Sequence, residues 1–235
     1  MSLSTLQLQA RISLPRKPEA PTLCGQLVTL RPLRLPEDLA ALHAMSCGAA
    51  AQLGDRKRAA YDADAQIWRY MFAGPFADAA ELGSRFLQPQ ANAVDGTPLC
   101  VEIAGQPIGV YNILSHAPEH LRMELGSIWY SPLVQRSGCN DEATWLVLDY
   151  LFARGYRRVE WKCHVENWRS RSAALAMGFL FEGLFESHML VKGQNRDTAW
   201  YRMLDREWPR VRPMLAARVA AKLAAATASA SGHHA

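Results

Sequence analysis

Hydrophobic and polar residues alternate strictly along residues 158–165. The apolar members are Val159, Trp161, Cys163 and Val165. A period of two predicts a strand with one buried face. Comparable alternating or apolar runs predict six further strands, at residues 26–33, 99–103, 107–114, 122–130, 179–191 and 198–204. The turn Ala104-Gly105-Gln106 joins the second and third of these into a predicted hairpin.

Apolar residues recur with helical spacing after residue 142. They are Ala143, Leu146, Val147, Tyr150 and Leu151, and they predict an amphipathic helix. Asn167 is suited to cap a second helix, and Gly178 to end it. Pro36-Glu37-Asp38 opens another helix, and the alanine-rich residues 216–226 predict the last one. Residues 48–90 show a helical pattern that glycine and proline interrupt, with scattered aromatic residues.

The order of predicted elements is β-α-α-β-β-β-α-β-α-β-β. This order predicts an α/β (mixed α+β) fold with a central twisted mixed β-sheet of about seven strands flanked by helices. We expect one domain over residues 25–208, which is long enough to bury a single core. Residues 1–24 are polar and hold three prolines, so they are expected to form a flexible arm. Residues 209–235 are expected to form the alanine-rich helix and a disordered tail that begins at Ser229.

Composition narrows the class of protein. About half of the 235 residues are hydrophobic, yet no apolar run approaches the roughly 20 residues that span a bilayer, so no membrane association is expected. Residues 1–16 lack the pattern of a secretory signal. The five cysteines are far apart and form no Cys-x-x-Cys pair, which argues against a metal site and for free thiols in the cytoplasm. The net charge of +4 is too small to indicate nucleic acid and suits an anionic small ligand equally well.

A polar loop enters the helix around residues 143–151 directly after a predicted strand. Its sequence is Gln135-Arg136-Ser137-Gly138-Cys139-Asn140. At such a place, backbone N–H groups and the positive end of the helix dipole can hold a phosphate group. Gly138 permits close backbone approach, and Arg136 supplies a charge that suits pyrophosphate. A polar loop with one glycine is by itself more often only a turn.

The order of elements around this loop resembles the GNAT acetyltransferases, whose pyrophosphate loop reads Gln/Arg-x-x-Gly-x-Gly/Ala. Gln135-x-x-Gly138-x-Asn140 matches this pattern except at its last position. Further motifs resemble the Rim-type branch, which is similar to ribosomal-protein N-acetyltransferases. They are Gly155-Tyr156-Arg157-Arg158, Asn167-x-x-Ser170-Arg171, Gly178-Phe179, Glu182-Gly183 and Lys192-Gly193-x-Asn195-Arg196-Asp197. The resemblance extends from about residue 26 to residue 208.

The resemblance implies acetyl-CoA as co-substrate and no metal. Backbone groups of Ile128, Trp129 and Tyr130 would pair with the pantetheine arm as an added strand. Asn167 would hydrogen-bond the arm, and Ser170 would stabilise or protonate the departing thiolate. The loop that would hold the pyrophosphate consists of Gln135, Arg136, Ser137, Gly138, Cys139, Asn140 and Asp141. The tyrosine that some GNAT enzymes use as acid is absent, because Ala174 stands at that position.

The implied reaction transfers acetyl from acetyl-CoA to a primary amine by direct attack in a ternary complex. The acceptor is a protein N-terminus or a small-molecule amine, and the sequence leaves both open. Glu124 is the first candidate for the general base, because it lies on the strand before the loop. Other candidates are Glu160, His164, Glu166 and His188. Asn167 and Ser170 suit helix capping equally well.

Two residues of the loop favour alternative functions. Asn140 is bulkier than the usual glycine or alanine, and Asp141 would place a negative charge near a polyanion, so we expect weakened CoA affinity. A catalytically weak GNAT-like domain that acts as a CoA-binding regulatory or scaffold protein is one alternative. A different acyl donor is another. The oligomeric state stays open, a homodimer included.

Overall fold

The protein, as a computed structural model, is described for residues 2–231, with side chains for residues 2–225. Its strands are β1 (Leu23–Cys24), β2 (Thr29–Pro32), β3 (Ala51–Leu53), β4 (Arg56–Arg58), β5 (Thr97–Ile103), β6 (Gln106–Ala117), β7 (Arg122–Tyr130), β8 (Arg158–His164), β9 (Leu180–Val191) and β10 (Gln194–Leu204). Its α-helices are α1 (Thr5–Ser13), α2 (Leu39–Ala44), α3 (Ala79–Leu82), α4 (Gln88–Asn92), α5 (Cys139–Ala153), α6 (Trp168–Ala176) and α7 (Trp208–Ser231). Within the described residues, no helix is both long and apolar enough to cross a membrane.

Eight strands form one mixed sheet in the order β1-β2-β5-β6-β7-β8-β10-β9. Every neighbouring pair is antiparallel except β7 and β8, which run parallel. A parallel pair needs a crossover, and α5 supplies it. The predicted mixed sheet flanked by helices is confirmed. It has eight strands instead of about seven because Leu23 and Cys24 pair with Leu30 and Thr29.

Helices cover both faces of the sheet. Successive strand residues point to opposite faces, so Val101 and Tyr111 join one core while their neighbours Cys100 and Val110 join the other. The larger core lies under α5 and α7. The smaller core is centred on Trp68 and is built largely from the interrupted segment at residues 48–90. Several of the scattered aromatic residues in that segment therefore belong to the core.

The structure differs from the sequence-based expectation at both ends of the chain. Residues 5–13 form a helix because Ser4 and Gln7 make a reciprocal capping box, a signal that the sequence contained. The segment after it also contacts the domain, since Thr97 donates a hydrogen bond to the carbonyl of Pro18 at 2.7 Å. A flexible arm was expected for residues 1–24, and the structure shows instead that residues 5–13 are helical and that Pro18 contacts the domain.

The last helix begins at Trp208 instead of residue 216 and runs to Ser231, beyond the expected start of the disordered tail at Ser229. Its first turns are helical because Trp208, Val211 and Leu215 are buried against the domain. Residues 232–235 of the expected tail lie outside the described residues. The hairpin of β3 and β4 was not predicted either, although its turn, Gly54-Asp55, is typical of hairpins.

A buried ion pair joins β2 to the start of α2. The Arg31 guanidinium donates to both carboxylate oxygens of Asp38, at 2.7 and 2.8 Å, and to Glu102 at 2.8 Å. Burial acts to raise the pKa of Asp38, but the hydrogen bonds from Arg31 and from the N–H of Arg34 outweigh it and leave the pKa below its ordinary value. Stability from this pair is therefore present at neutral pH and lost as the pH falls through the lowered pKa of Asp38.

We expect Asp38→Asn to lower the free energy of unfolding by about 3 kcal/mol or more at pH 7, because it leaves a buried guanidinium without its main partner. The variant should also lose less stability than the wild type when the pH falls below about 4. Urea denaturation at several pH values measures both effects. The matched control is Glu19→Gln, which breaks an exposed pair with Arg154 and should cost less than about 1 kcal/mol. Equal costs for the two variants would contradict the prediction.

Candidate functional site

The parallel strands β7 and β8 separate halfway along their length. They pair only from Arg122 opposite Arg158 to Leu125 opposite Trp161. Beyond that point the β8-facing backbone groups of residues 126–130 have no strand partner, although β7 remains paired with β6 on its other side. The separation leaves a wedge-shaped opening within the sheet, with a row of hydrogen-bonding groups along one wall.

A bulge in β7 lies at the start of the opening. Val110 pairs with Trp129 and Asn112 with Gly126, so two residues of β7, Ser127 and Ile128, stand opposite one residue of β6. Ser127 has a positive φ of 49°. An extra residue on one strand bends that strand and increases its local twist. The bulge therefore turns residues 128–130 away from β8.

The predicted phosphate loop lies where β7 ends, and it enters α5. Gly138 stands at the N-cap with φ 98°, and no side chain caps the helix. Its conformation favours glycine, and a Cβ there would lie 2.9 Å from the Cβ of Lys222. The first N–H groups of α5 are thus available to an anion. Arg136, with φ 65°, exposes its side chain beside them.

Other parts of the chain hold this loop in place. The Glu142 carboxylate, buried in the first turn of α5, accepts three backbone N–H bonds from residues 26–28, at 2.7 to 2.8 Å. From α7, the Lys222 ammonium donates to the carbonyl of Arg136 at 3.1 Å. Ser137 donates to the carbonyl of Val134 at 2.6 Å. The loop is therefore supported from both termini of the chain.

The expected repulsion by Asp141 is not supported by the geometry. Arg218 of α7 donates to the Asp141 carboxylate at 2.8 Å, and the aspartate is only 9 % exposed. Its negative charge is thus compensated within the protein. The side-chain amide of Asn140 donates to the sulfur of Met177 at 3.8 Å, and its buried Oδ1 has no hydrogen-bond partner. The Cys139 thiol is buried, which raises its pKa, so it is a poor nucleophile.

The opening between β7 and β8 continues into a cavity of about 470 Å³. The predicted residues Glu124, Ile128, Asn167 and Ser170 line it, as do His164 and His188. Trp129 and Tyr130 direct their side chains into the two cores instead. No cluster of three histidine, cysteine or acidic side chains in the described part of the chain could hold a metal ion.

A second cavity, of about 580 Å³, lies at the opposite end of β8, between α1 and the arginines Arg122, Arg157 and Arg158. It is the larger of the two, but it contains none of the predicted site residues. Arg122 and Arg158 are already paired with Glu160 there. The smaller cavity is therefore the better candidate for chemistry.

Asn167 and Ser170 both line the cavity, but only Asn167 caps α6. Asn167 caps α6 by accepting the N–H of Ser170 at 3.1 Å, so the predicted cap is confirmed for Asn167. The Ser170 hydroxyl does not cap the helix but accepts the indole N–H of Trp161 at 2.9 Å. Because an indole can only donate, the bond with Trp161 leaves the hydroxyl hydrogen of Ser170 unused, and the Cys163 sulfur is within its reach. Burial raises the pKa of the neighbouring Cys163 thiol, and the Ser170 hydroxyl partly offsets that rise.

Glu124 is buried against the cavity and is paired with Lys162 at 2.5 Å. Ser115 donates to the same carboxylate oxygen, Oε2, at 2.9 Å. The other oxygen, Oε1, forms no hydrogen bond with a described residue. Among the other candidates for the base, Glu160 is paired with arginines outside the cavity and Glu166 is exposed. The carboxylate of Glu124 is the only one that lines the cavity among the described residues.

Several polar and aromatic residues of this cavity were not predicted from the sequence, and four of them stand out by their contacts or charge. Lys162 and Trp200 form a cation–π contact, with the ammonium 4.2 Å from the ring centre. Thr198 bonds His188 at 3.0 Å, and Arg196 lies at the cavity wall. Lys162 was detectable as a polar residue of the alternating strand at 158–165. The others depend on the pairing of β10 with β8, which the sequence did not specify.

A family model described as an acetyltransferase (GNAT) domain matches residues 28–180. No curated protein matches the chain. Among solved structures, the chain is similar to a GCN5-related N-acetyltransferase from Brucella melitensis, with 35% identity and a TM-score of 0.75, over 86% of this chain and 87% of that one. It is also similar to a probable acetyltransferase of the GNAT family from Chromobacterium violaceum ATCC 12472, with 31% identity and a TM-score of 0.71, over 82% and 90% of the two chains.

Mycobacterium smegmatis RimJ in complex with CoA-disulfide is a more distant structural relative. Its identity is 22% and its TM-score 0.58, over 85% of this chain and 89% of that one. At this identity the similarity concerns the fold alone.

The pair of Asp141 and Arg218 should connect α7 to the phosphate loop energetically. We expect a double-mutant cycle with Asp141→Asn and Arg218→Gln to give a coupling on the order of 1 kcal/mol in the free energy of unfolding, because the aspartate is buried and the arginine half-exposed. Urea denaturation of the four proteins measures it. If the two substitutions lowered the free energy of unfolding additively, the charge of Asp141 would not be compensated by Arg218.

Proposed function

Since the chain belongs to the GNAT acetyltransferase family, we propose that it transfers the acetyl group of acetyl-CoA to a primary amine by direct attack in a ternary complex. The observation that carries this proposal is the unpaired edge of β7. It extends from the cavity, where an amine can enter, to the uncapped N-terminus of α5, where a pyrophosphate can bind.

The contacts expected for acetyl-CoA follow this edge. Backbone groups of Ile128, Trp129 and Tyr130 would pair with the pantetheine arm in the place that β8 leaves vacant. Asn167 lines the cavity, and its side-chain amide nitrogen would donate to the arm. The pyrophosphate would lie on the N–H groups of the loop at residues 135–141, with Arg136 supplying positive charge. Because Arg218 compensates Asp141, that carboxylate would not repel it strongly.

The acetyl transfer would need two proton movements. The neutral amine nitrogen attacks the thioester carbonyl carbon, so a C–N bond forms, and collapse of the tetrahedral intermediate breaks the C–S bond. The electron pair leaves with the sulfur, which receives a proton, and the new amide loses one. We propose that the Ser170 hydroxyl stabilises the developing thiolate by donating a hydrogen bond to it and keeps its own proton, since its bond with Trp161 uses it only as an acceptor. The proton that the amine releases reaches the sulfur through water.

We propose Glu124 as the group that holds the amine and receives its proton, directly or through water. Its Oε1 is free and belongs to the only carboxylate at the cavity wall among the described residues. Lys162 pairs with the other oxygen, Oε2, and so leaves Oε1 for the amine. An α-amino group has a pKa near 8 and loses its proton more easily than a lysine side chain, so weak assistance suffices.

Four finer expectations remain proposals. A protein N-terminus and a small-molecule amine both fit the reaction described above. A CoA-binding scaffold function depended on Asn140 and Asp141, and the compensation of Asp141 by Arg218 weakens its basis. A homodimer would cover the edge strand β9, where Phe181, Phe185 and Leu190 are exposed. A cytoplasmic location would suit the five free thiols.

Titration with acetyl-CoA by calorimetry tests the proposed function. We expect binding, and we expect acetyl-pantetheine, which lacks the pyrophosphate, to bind at least about tenfold more weakly because it forgoes charge-assisted bonds to the loop. A screen of amines that reports free CoA, with mass spectrometry of the product, then tests turnover. Absence of acetyl-CoA binding at millimolar concentration would refute acetyl transfer by this chain.

Ser170→Ala should lower kcat on the order of a hundredfold while the affinity for acetyl-CoA changes little, because the hydroxyl acts on charge that develops only in the transition state. The variant also leaves the Trp161 indole without its acceptor, at a cost of about 1 kcal/mol in stability. Trp161→Phe is the matched control, since it removes the donor and keeps the hydroxyl. A loss of stability with unchanged kcat per folded molecule would show that Ser170 is structural.

A further inference from the structure

Arg196 is a buried cation at the cavity wall that has no anionic partner. It is 6% exposed, and its Nε forms no hydrogen bond. Its Nη1 makes one long hydrogen bond, 3.4 Å, to the carbonyl of Tyr70, and its guanidinium lies 4.6 Å from the centre of the Phe72 ring. None of the ion pairs among the described residues includes Arg196.

An uncompensated guanidinium is an unusual feature of a protein interior. Burying a charge without an ion pair destabilises a protein, and leaving an arginine N–H group unsatisfied adds to that cost. Burial accordingly lowers the pKa of Arg196, and the charges of Cys163 and Glu124 oppose this only in part. The other buried arginine described above, Arg31, has two carboxylate partners. The contrast indicates that the partner of Arg196 comes from outside the chain.

The other charges of the cavity are already paired. Glu124 and Lys162 compensate each other at 2.5 Å. Arg196 therefore gives the cavity an excess of one positive charge. The neutral thioester of acetyl-CoA would not compensate it, and the pyrophosphate is expected at the α5 end of the β7 edge. The acceptor is the remaining candidate for the anion.

We propose that the acceptor is a small amine that carries a carboxylate, such as a free amino acid, and that Arg196 binds this carboxylate while the amine lies at Glu124. This inference rests on the proposed function and specifies its substrate class. A planar guanidinium at the cavity wall suits a carboxylate, because its N–H groups can donate to both carboxylate oxygens. The cavity of about 470 Å³ also has room for a molecule of this size beside the thioester.

Arg196 also contacts the segment at residues 68–72, so its effect on binding must be separated from an effect on that segment. Lys192 offers a matched control. It lies on the same β9–β10 hairpin and donates to the carbonyl of Trp68 at 2.8 Å, but it does not line the cavity. Lys192→Gln therefore removes a contact of the hairpin with this segment and leaves the cavity wall intact.

Calorimetric titration of the protein with the standard amino acids, and with alaninamide, leucinamide and phenylalaninamide, tests the inference. Each carboxamide keeps the amine and side chain but loses the negative charge. The titrations are made with and without CoA, which carries no acetyl group, so no turnover occurs. We expect at least one amino acid to bind, and carboxamides to bind at least tenfold more weakly than their parent acids.

Arg196→Gln should weaken amino-acid binding ten- to a hundredfold and leave the affinities for CoA and for the carboxamides unchanged. The amino-acid affinity of Arg196→Lys should lie between those of Arg196→Gln and the wild type, and that of Lys192→Gln should equal the wild-type value. Equal binding of acids and carboxamides, or an equal loss in Lys192→Gln, overturns the inference. The absence of amino-acid binding both with and without CoA overturns it too. Amino-acid binding that depends on Arg196 in a protein that fails to bind CoA would uphold the carboxylate-binding site at Arg196 but refute the acetyl transfer, and with it the role of the amino acid as acceptor.

Discussion

The site depends on the point at which β7 and β8 stop pairing. A parallel pair that continued to the end of β7 would fill the opening with main-chain hydrogen bonds and leave neither a cavity nor a free edge. The bulge at Ser127 and Ile128 prevents this, because it turns the rest of β7 away from β8 while β6 holds its other side. Gly109 of β6 permits the close approach of β6 to β7, since a Cβ there would lie 2.2 Å from the carbonyl oxygen of Trp129.

The phosphate loop is assembled from distant parts of the chain. Glu142 fastens residues 26–28 to the first turn of α5, and α7 approaches the loop with Arg218 and Lys222. An anion site made of backbone N–H groups works only if those groups point at the ligand before it binds. The contacts from both ends of the chain serve that purpose, so the C-terminal helix contributes to the site although it carries none of the residues predicted for it.

The sequence predicted most of this architecture because strand and helix periodicities are local. The alternation at residues 158–165 and the cap at Asn167 both appear in the structure with nearly the predicted bounds. Which side chains meet depends instead on long-range pairing. The partners of Asp141 and Ser170, which are Arg218 and Trp161, could not be read from spacing. The bulge in β7 escaped prediction for the same reason, since it is defined by register against β6.

Charge balance within the cavity connects the fold to the choice of acceptor. A strand pair that places Lys162 beside Glu124 produces a compensated site in which an ammonium group can bind and lose a proton. The hairpin of β9 and β10 then brings Arg196 to the same cavity without a counter-ion. A polycationic acceptor would add positive charge next to this guanidinium and gain nothing from it. An acceptor with one amine and one carboxylate satisfies both groups, so the two ends of one small molecule would fix its orientation toward the thioester.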